Sequence, residues 1–214
     1  MSDIFGNMSA ALQEGDADLL KEMVEKALAE GTPANDILER GLLAGMDVIA
    51  VQFKNNEIYV PDVLIAARAM NAAAAILKSH LAEDGVKAVG KAIIATVKGD
   101  LHDIGKNLVR MMFEGKGIEV IDIGIDVPAE KFVETYYAEK PEIIAMSALL
   151  TTTMSEMRKT VQVFTDAGVR DKVTIMVGGA PVTDEFCKSI GADIYMPDAG
   201  SASEAAKNAI LAKR

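Results

Sequence analysis

The sequence predicts an α/β protein: an N-terminal helical bundle followed by a Rossmann-like, five-stranded parallel sheet covered by helices. Three observations carry this. Residues 1–88 hold only helical patterns. Beyond them, short apolar runs alternate five times with helical segments, the order that builds a parallel sheet. Between the two lies EDGVKAVGK, polar and glycine-punctuated, which reads as a linker near residues 83–90. Two domains are expected, 1–88 and 89–214.

The first helix that the pattern marks runs through Leu20, Met23, Val24, Ala27 and Leu28, with Asp16 placed to cap it and Gly31 to close it. Thr32 and Pro33 open another in the usual first-turn arrangement. A third covers Leu42 to Phe53, and KNNE breaks it. After Pro61, Val63, Ala67, Met70, Ala74, Leu77 and Leu81 recur on one helical face. Four or five short helices with tight connections make a small bundle, and the many alanines imply close helix approach. The strands are expected at 92–97, 118–123, 142–146, 173–177 and 193–196. Helices are expected near 104–115, 129–139, 153–167, 182–189 and 201–212. Five such units suit the flavodoxin-like strand order 2-1-3-4-5.

Composition narrows the function. Net charge is −10 over 214 residues with no basic cluster, so phosphate backbones are repelled and no nucleic-acid partner is expected. No uninterrupted apolar run reaches the roughly 18 residues that cross a bilayer, and no secretory signal is read at the N-terminus. One cysteine, Cys187, cannot form an internal disulfide, which suits a reducing cytoplasm.

In a sheet of this order, ligands sit beyond the carboxyl ends of the strands where the order reverses. The first and third strands flank that point. The first ends in Gly99-Asp100-Leu101-His102-Asp103-Ile104-Gly105, and the third in Ser147-Ala148-Leu149-Leu150-Thr151-Thr152-Thr153. The fourth ends in Gly178-Gly179. A histidine that binds a metal through one ring nitrogen usually donates the other N–H to a carboxylate, and Asp100 is close enough for that. The chain has only one other histidine, His80, on the long helix, too few ligands for a closed zinc site. One histidine with one carboxylate suits a metal that arrives with its other ligands, in a haem or a corrin. Gly105 allows close approach at the start of a helix, and the Gly178-Gly179 pair would leave a side-chain-free channel for a long nucleotide tail; these favour the corrin, since haem has no such tail.

Plainer roles are open to the same residues. Asp100 and Asp103 could cap the helix that follows. Thr153 with Glu156 fits a capping box. Ser147 could be a strand-end turn residue, Tyr59 core, and His80 helix surface. The methionines read as apolar filler and the acidic balance as solvated surface.

The motif Asp100-x-His102-x-x-Gly105, with Ser147-x-Leu149 and Gly178-Gly179 following in order, resembles the cobalamin-binding signature. GDLHDIGKNLV followed by VIDIGIDVPAEK is similar to the cobalamin module of cobalamin-dependent methionine synthase. It is closer to the stand-alone corrinoid proteins of methylamine, methanol and methoxy-compound methyltransferase systems, and GMDVIAVQF and YVPDVLIAARAM resemble their helical cap. The resemblance implies a cap over a B12 domain, with cobalamin or another corrinoid alternating between cob(I)alamin and methylcobalamin. It implies His102 as lower axial cobalt ligand in place of the cofactor's own base, on a loop running from Gly99 through Leu101, Asp103 and Ile104 to Gly105. Asp100 would hold the other imidazole nitrogen. Thr153, a serine in methionine synthase, would complete the relay. The nucleotide tail would lie along Ser147, Leu149, Thr151, Gly178, Gly179 and Ala199. Tyr59, at a cap position that is phenylalanine in methionine synthase, would shield the upper face. The cap would have to move, with its hinge at the EDGVKAVGK linker.

The implied function is a methyl carrier, not catalytic alone, with three partners. These are a substrate:corrinoid methyltransferase, a methylcorrinoid:acceptor methyltransferase that uses tetrahydrofolate or a thiol, and a reductive activation protein. The donor could be methanol, a methylamine, betaine or a methoxy compound. The alternatives are the cobalamin subunit of a radical mutase, a cobalamin-dependent sensor, and a receiver-like domain without cofactor.

Overall fold

The computed structural model describes residues 4–83 and 88–213. The chain divides into two compact units, one running to Ala88 and including Gly115–Gly117, the other Val89–Glu114 with Ile118 onward. Part of the expected linker and hinge, residues 84–87, lies outside the described residues.

The helical unit holds α1 (Ile4–Glu14), α2 (Ala17–Ala29), α3 (Ala34–Asp36), α4 (Ala44–Lys54) and α5 (Val60–Glu83). Asp16 caps α2 by accepting from the Leu19 N–H at 3.0 Å. The sequence pattern did not single out α1, whose buried face is Met8, Ala11 and Leu12. The two helices expected after Thr32 are one run: α3 continues through a π-helical segment, Ile37–Leu43, into α4. Its two glycines serve close packing rather than an end. A Cβ at Gly41 would stand 3.1 Å from Met8 Sδ, and one at Gly45 3.3 Å from Ser9 Cα. On α5, Val63, Ala67, Met70 and Leu77 are buried as the spacing predicts, while Ala74 and Leu81 are half-buried. Val60–Leu77 is long and apolar enough to cross a bilayer, with a mean hydropathy of 1.5 despite Asp62 and Arg68. Counting only uninterrupted apolar residues missed this. Its alanine-rich face packs against α2 and α1.

The second unit holds β1 (Gly90–Thr96), α6 (Ile104–Glu114), β2 (Ile118–Asp122), α7 (Ala129–Glu139), β3 (Ile143–Ser147), α8 (Met154–Asp166), β4 (Thr174–Gly178), α9 (Asp184–Ser189), β5 (Ile194–Tyr195) and α10 (Ala199–Leu211). The strands are all parallel in the order β2-β1-β3-β4-β5. Alternation along β1 sorts its side chains between two cores. Ile93, Ala95 and Val97 pack with Phe132 of α7 and with Met157 and Phe164 of α8. Ala92 and Ile94 pack with Phe113 of α6 and with Ala206 and Ile210 of α10. Each fully buried phenylalanine contributes about 1.5–3 kcal/mol of transfer free energy. Burial on both sides leaves the strand ends as the place where polar side chains gather.

Candidate cofactor site

β1 is buried at every position but Lys91, and Thr96 is its one buried hydroxyl. Past its end Gly99 takes a left-handed φ of +79°, a turn that costs other residues more than glycine. The next residue, Asp100, is fully buried. Its Oδ1 accepts from the His102 backbone N–H at 3.1 Å and lies 2.6 Å from His102 Nδ1. Its Oδ2 accepts from the Leu149 N–H at 2.8 Å, the Leu150 N–H at 3.2 Å and the Thr153 hydroxyl at 2.8 Å. Burial pushes the carboxyl pKa up. The bonds from the His102 ring, the Leu149 and His102 amides and the Thr153 hydroxyl outweigh it and hold Asp100 well below the usual carboxylate range.

An ionised Asp100 fixes the imidazole tautomer. Nδ1 carries the proton and donates it, so Nε2 keeps its lone pair. The His102 side chain is 51% exposed, which makes Nε2 a nitrogen open to approach. Thr153 is the N-cap residue of α8 but makes no side-chain cap bond. Its hydroxyl goes to Asp100, with the Leu150 carbonyl at 2.9 Å as second acceptor. The capping box is not formed because Thr153 is already helical in its backbone, and the Glu156 N–H donates to the Thr153 carbonyl at 3.0 Å rather than to its hydroxyl. The Asp103 carboxylate accepts from the Asn107 side-chain amide at 3.1 Å.

Three supports escaped the sequence pattern. The Thr96 hydroxyl donates to the His102 carbonyl at 2.7 Å. Asp126 holds the start of the loop from both sides: its carboxylate accepts from the Gly99 N–H at 2.7 Å, and its own N–H donates to the Asp100 carbonyl at 3.0 Å. Lys106, buried on the first turn of α6, pairs with Asp122 at the end of β2. A hydroxyl inside the run AIIATV was the available signal for Thr96. Asp126 and Lys106 depend on pairing between strands distant in sequence.

Around His102 the side chains are apolar and exposed. Leu101, Leu149 and Leu150 lie in the loops after β1 and β3, Ile104 opens α6, and Ile125 follows β2. Such side chains at a strand-end crevice fit a largely apolar ligand better than water. A Cβ at Gly105 or Gly178 would meet no protein atom, so neither glycine is demanded by packing. Gly179 is different. At φ +125° its Cβ would fall 1.9 Å from the Ala148 carbonyl oxygen, so this glycine locks the fourth loop to the third. Ser147 is half-buried at the end of β3, Thr151 is exposed, and Ala199 is buried at the start of α10. Tyr59 belongs to the helical unit, where it is 69% exposed just before α5. His80 is exposed on α5.

Among the described residues no group of three or more His, Cys, Asp or Glu could hold a metal ion. A metal bound by His102 would have to bring its other ligands, as the metal of a macrocyclic cofactor does. The oriented imidazole, the exposed apolar side chains and the open glycines at 105 and 178 fit such a group.

Comparison with known proteins identifies the macrocycle. Residues 90–207 match the family model of the B12 binding domain, and residues 5–78 match a second B12 binding domain model. Trimethylamine corrinoid protein 1 of Methanosarcina acetivorans is 40% identical over 195 residues, 90% of each chain. A cobalamin-binding protein from Desulfitobacterium hafniense DCB-2 superposes with a TM-score of 0.81 at 31% identity, over 98% of this chain and 99% of that one. The methanol:cobalamin methyltransferase complex MtaBC from Methanosarcina barkeri matches with a TM-score of 0.88 at 28% identity, over 99% of this chain and 81% of that one. The chain belongs to the B12-binding corrinoid proteins.

Proposed function

We propose that this chain carries methyl groups on a corrinoid bound base-off and His-on, with His102 Nε2 as the lower axial ligand. The observation that carries this is the 2.6 Å bond from His102 Nδ1 to a buried, ionised Asp100, which leaves the Nε2 lone pair free on a half-exposed side chain. The bound corrinoid supplies a cobalt centre that accepts and releases a methyl group. The chain supplies the rest. Asp100 fixes the tautomer and raises the donor strength of the ring. Thr153 and the amides of Leu149 and Leu150 keep Asp100 ionised. Leu101, Ile104, Leu149 and Leu150 keep water from the lower face.

The displaced nucleotide tail is assigned to Ser147, Leu149, Thr151, Gly178, Gly179 and Ala199. The open Cβ position at Gly178 supports that path. Tyr59 is assigned to the upper face, and the domains to residues 1–88 and 89–214. The likeness to the MtaBC complex supports a substrate:corrinoid methyltransferase as first partner. The likeness to a trimethylamine corrinoid protein supports a methylamine as donor. An acceptor methyltransferase using tetrahydrofolate or a thiol and a reductive activation protein complete the proposal, in the cytoplasm. Reconstitution with cobalamin tests the axial ligand. His102→Ala should lose the absorption signature of the His-on form, and an unchanged spectrum would refute the assignment.

A further inference from the structure

We propose that Thr96 is a positioning residue for His102 and so sets the strength of the axial bond, an inference that rests on His102 being that ligand. Thr96 is fully buried in β1, between Ala95 and Val97, which are buried apolar residues. It lies on the 92–94–96 face of the strand. A buried hydroxyl needs a partner, and this one donates to the His102 carbonyl at 2.7 Å. The bond joins the rigid centre of the sheet to the backbone of the residue that offers Nε2.

The other supports act elsewhere on the loop. Asp126 holds the main chain at Gly99 and Asp100. Asp100 holds the imidazole and the His102 N–H. Thr96 takes the carbonyl on the far side of the His102 Cα. With N–H, ring and carbonyl all fixed, the imidazole has little freedom left to rotate away. Threonine at this position also satisfies β propensity, since it is β-branched like the neighbouring valine. Valine would satisfy that equally, so the hydroxyl answers a need other than the strand's.

The test is the cobalt(II)/cobalt(I) midpoint potential of the reconstituted protein. A ligand that binds cobalt(II) and leaves on reduction lowers this potential with the logarithm of its binding constant. Removing one neutral hydrogen bond behind the ligand should weaken its binding about fivefold. At about 59 mV per tenfold for one electron, Thr96→Val should move the potential about 40 mV positive. Thr96→Ser keeps the hydroxyl and should return it to the wild-type value. If Thr96→Val does not fold, Thr96→Ala against Thr96→Ser gives the same contrast. Equal potentials in the hydroxyl-bearing and hydroxyl-free variants overturn the proposal. His102→Ala separates the two layers. If its potential equals the wild type's, the axial assignment itself fails. If it moves while Thr96→Val does not, only the role of Thr96 fails.

Discussion

Asp100→Asn perturbs the centre of the site with almost no change of shape. Every group facing the Asp100 oxygens is a donor: the His102 N–H and Nδ1–H at Oδ1, and the amides of Leu149 and Leu150 with the Thr153 hydroxyl at Oδ2. An asparagine amide must turn two N–H donors toward one of these sets. Turned toward Leu149 and Leu150, it leaves two backbone amides without their acceptor, while Thr153 falls back on the Leu150 carbonyl. Turned toward His102, it drives the ring to the opposite tautomer, with the proton on Nε2, and still opposes the His102 N–H. Either choice leaves one or two part-buried donors without their acceptor, at the low end of about 1–3 kcal/mol each, so the expected loss is about 1–3 kcal/mol. Denaturant unfolding of the cofactor-free protein measures it, and ¹⁵N-histidine NMR reads the tautomer. The loss should depend on pH. The depressed pKa of Asp100 stabilises the native wild type fully above the ordinary carboxylate pKa of about 4. That advantage shrinks as pH falls below it toward the folded value. Equal stability at neutral pH, with an unchanged His102 tautomer, would refute the reasoning.

Three further outcomes follow from the same contacts. Gly179→Ala places a Cβ on the Ala148 carbonyl at a φ that L-residues avoid, and should cost about 3 kcal/mol of stability by denaturant unfolding. Gly105→Ala meets no protein atom, so the cofactor-free protein should unfold within about 0.5 kcal/mol of wild type while cobalamin binding by titration weakens. Asp122→Asn strands the buried Lys106 ammonium and should cost about 3 kcal/mol, the low end for a broken buried pair because Asp122 keeps partial exposure.

The parallel sheet was legible in the sequence because strands and helices alternate five times; the order 2-1-3-4-5 was the expectation for such units, and with it β1 and β3 flank the switch point. The local motif was legible for the same reason: Asp100 and His102 are two residues apart and meet in one turn. The helical unit was harder. Glycines that pack helices closely, such as Gly41 and Gly45, look the same in sequence as glycines that end them. Thr153 carried two readings, a cap and a relay; its hydroxyl donates to Asp100 and makes no cap bond, a pairing across 53 residues that spacing could not show. Asp126 and Lys106 act across strands or loops more than fifteen residues apart, where no spacing rule reaches. At Gly179 the sequence did not show the close approach of the Ala148 backbone, which only the pairing of distant strand ends creates.

The most direct measurement is electron paramagnetic resonance of the cobalt(II) form, with every histidine labelled with ¹⁵N and the cobalamin left unlabelled. The unpaired electron couples to whichever nitrogen lies on the axis below the metal. Coordination by His102 predicts a doublet splitting that disappears in His102→Ala. A triplet, from the unlabelled benzimidazole nitrogen still on its own cobalt, would contradict it.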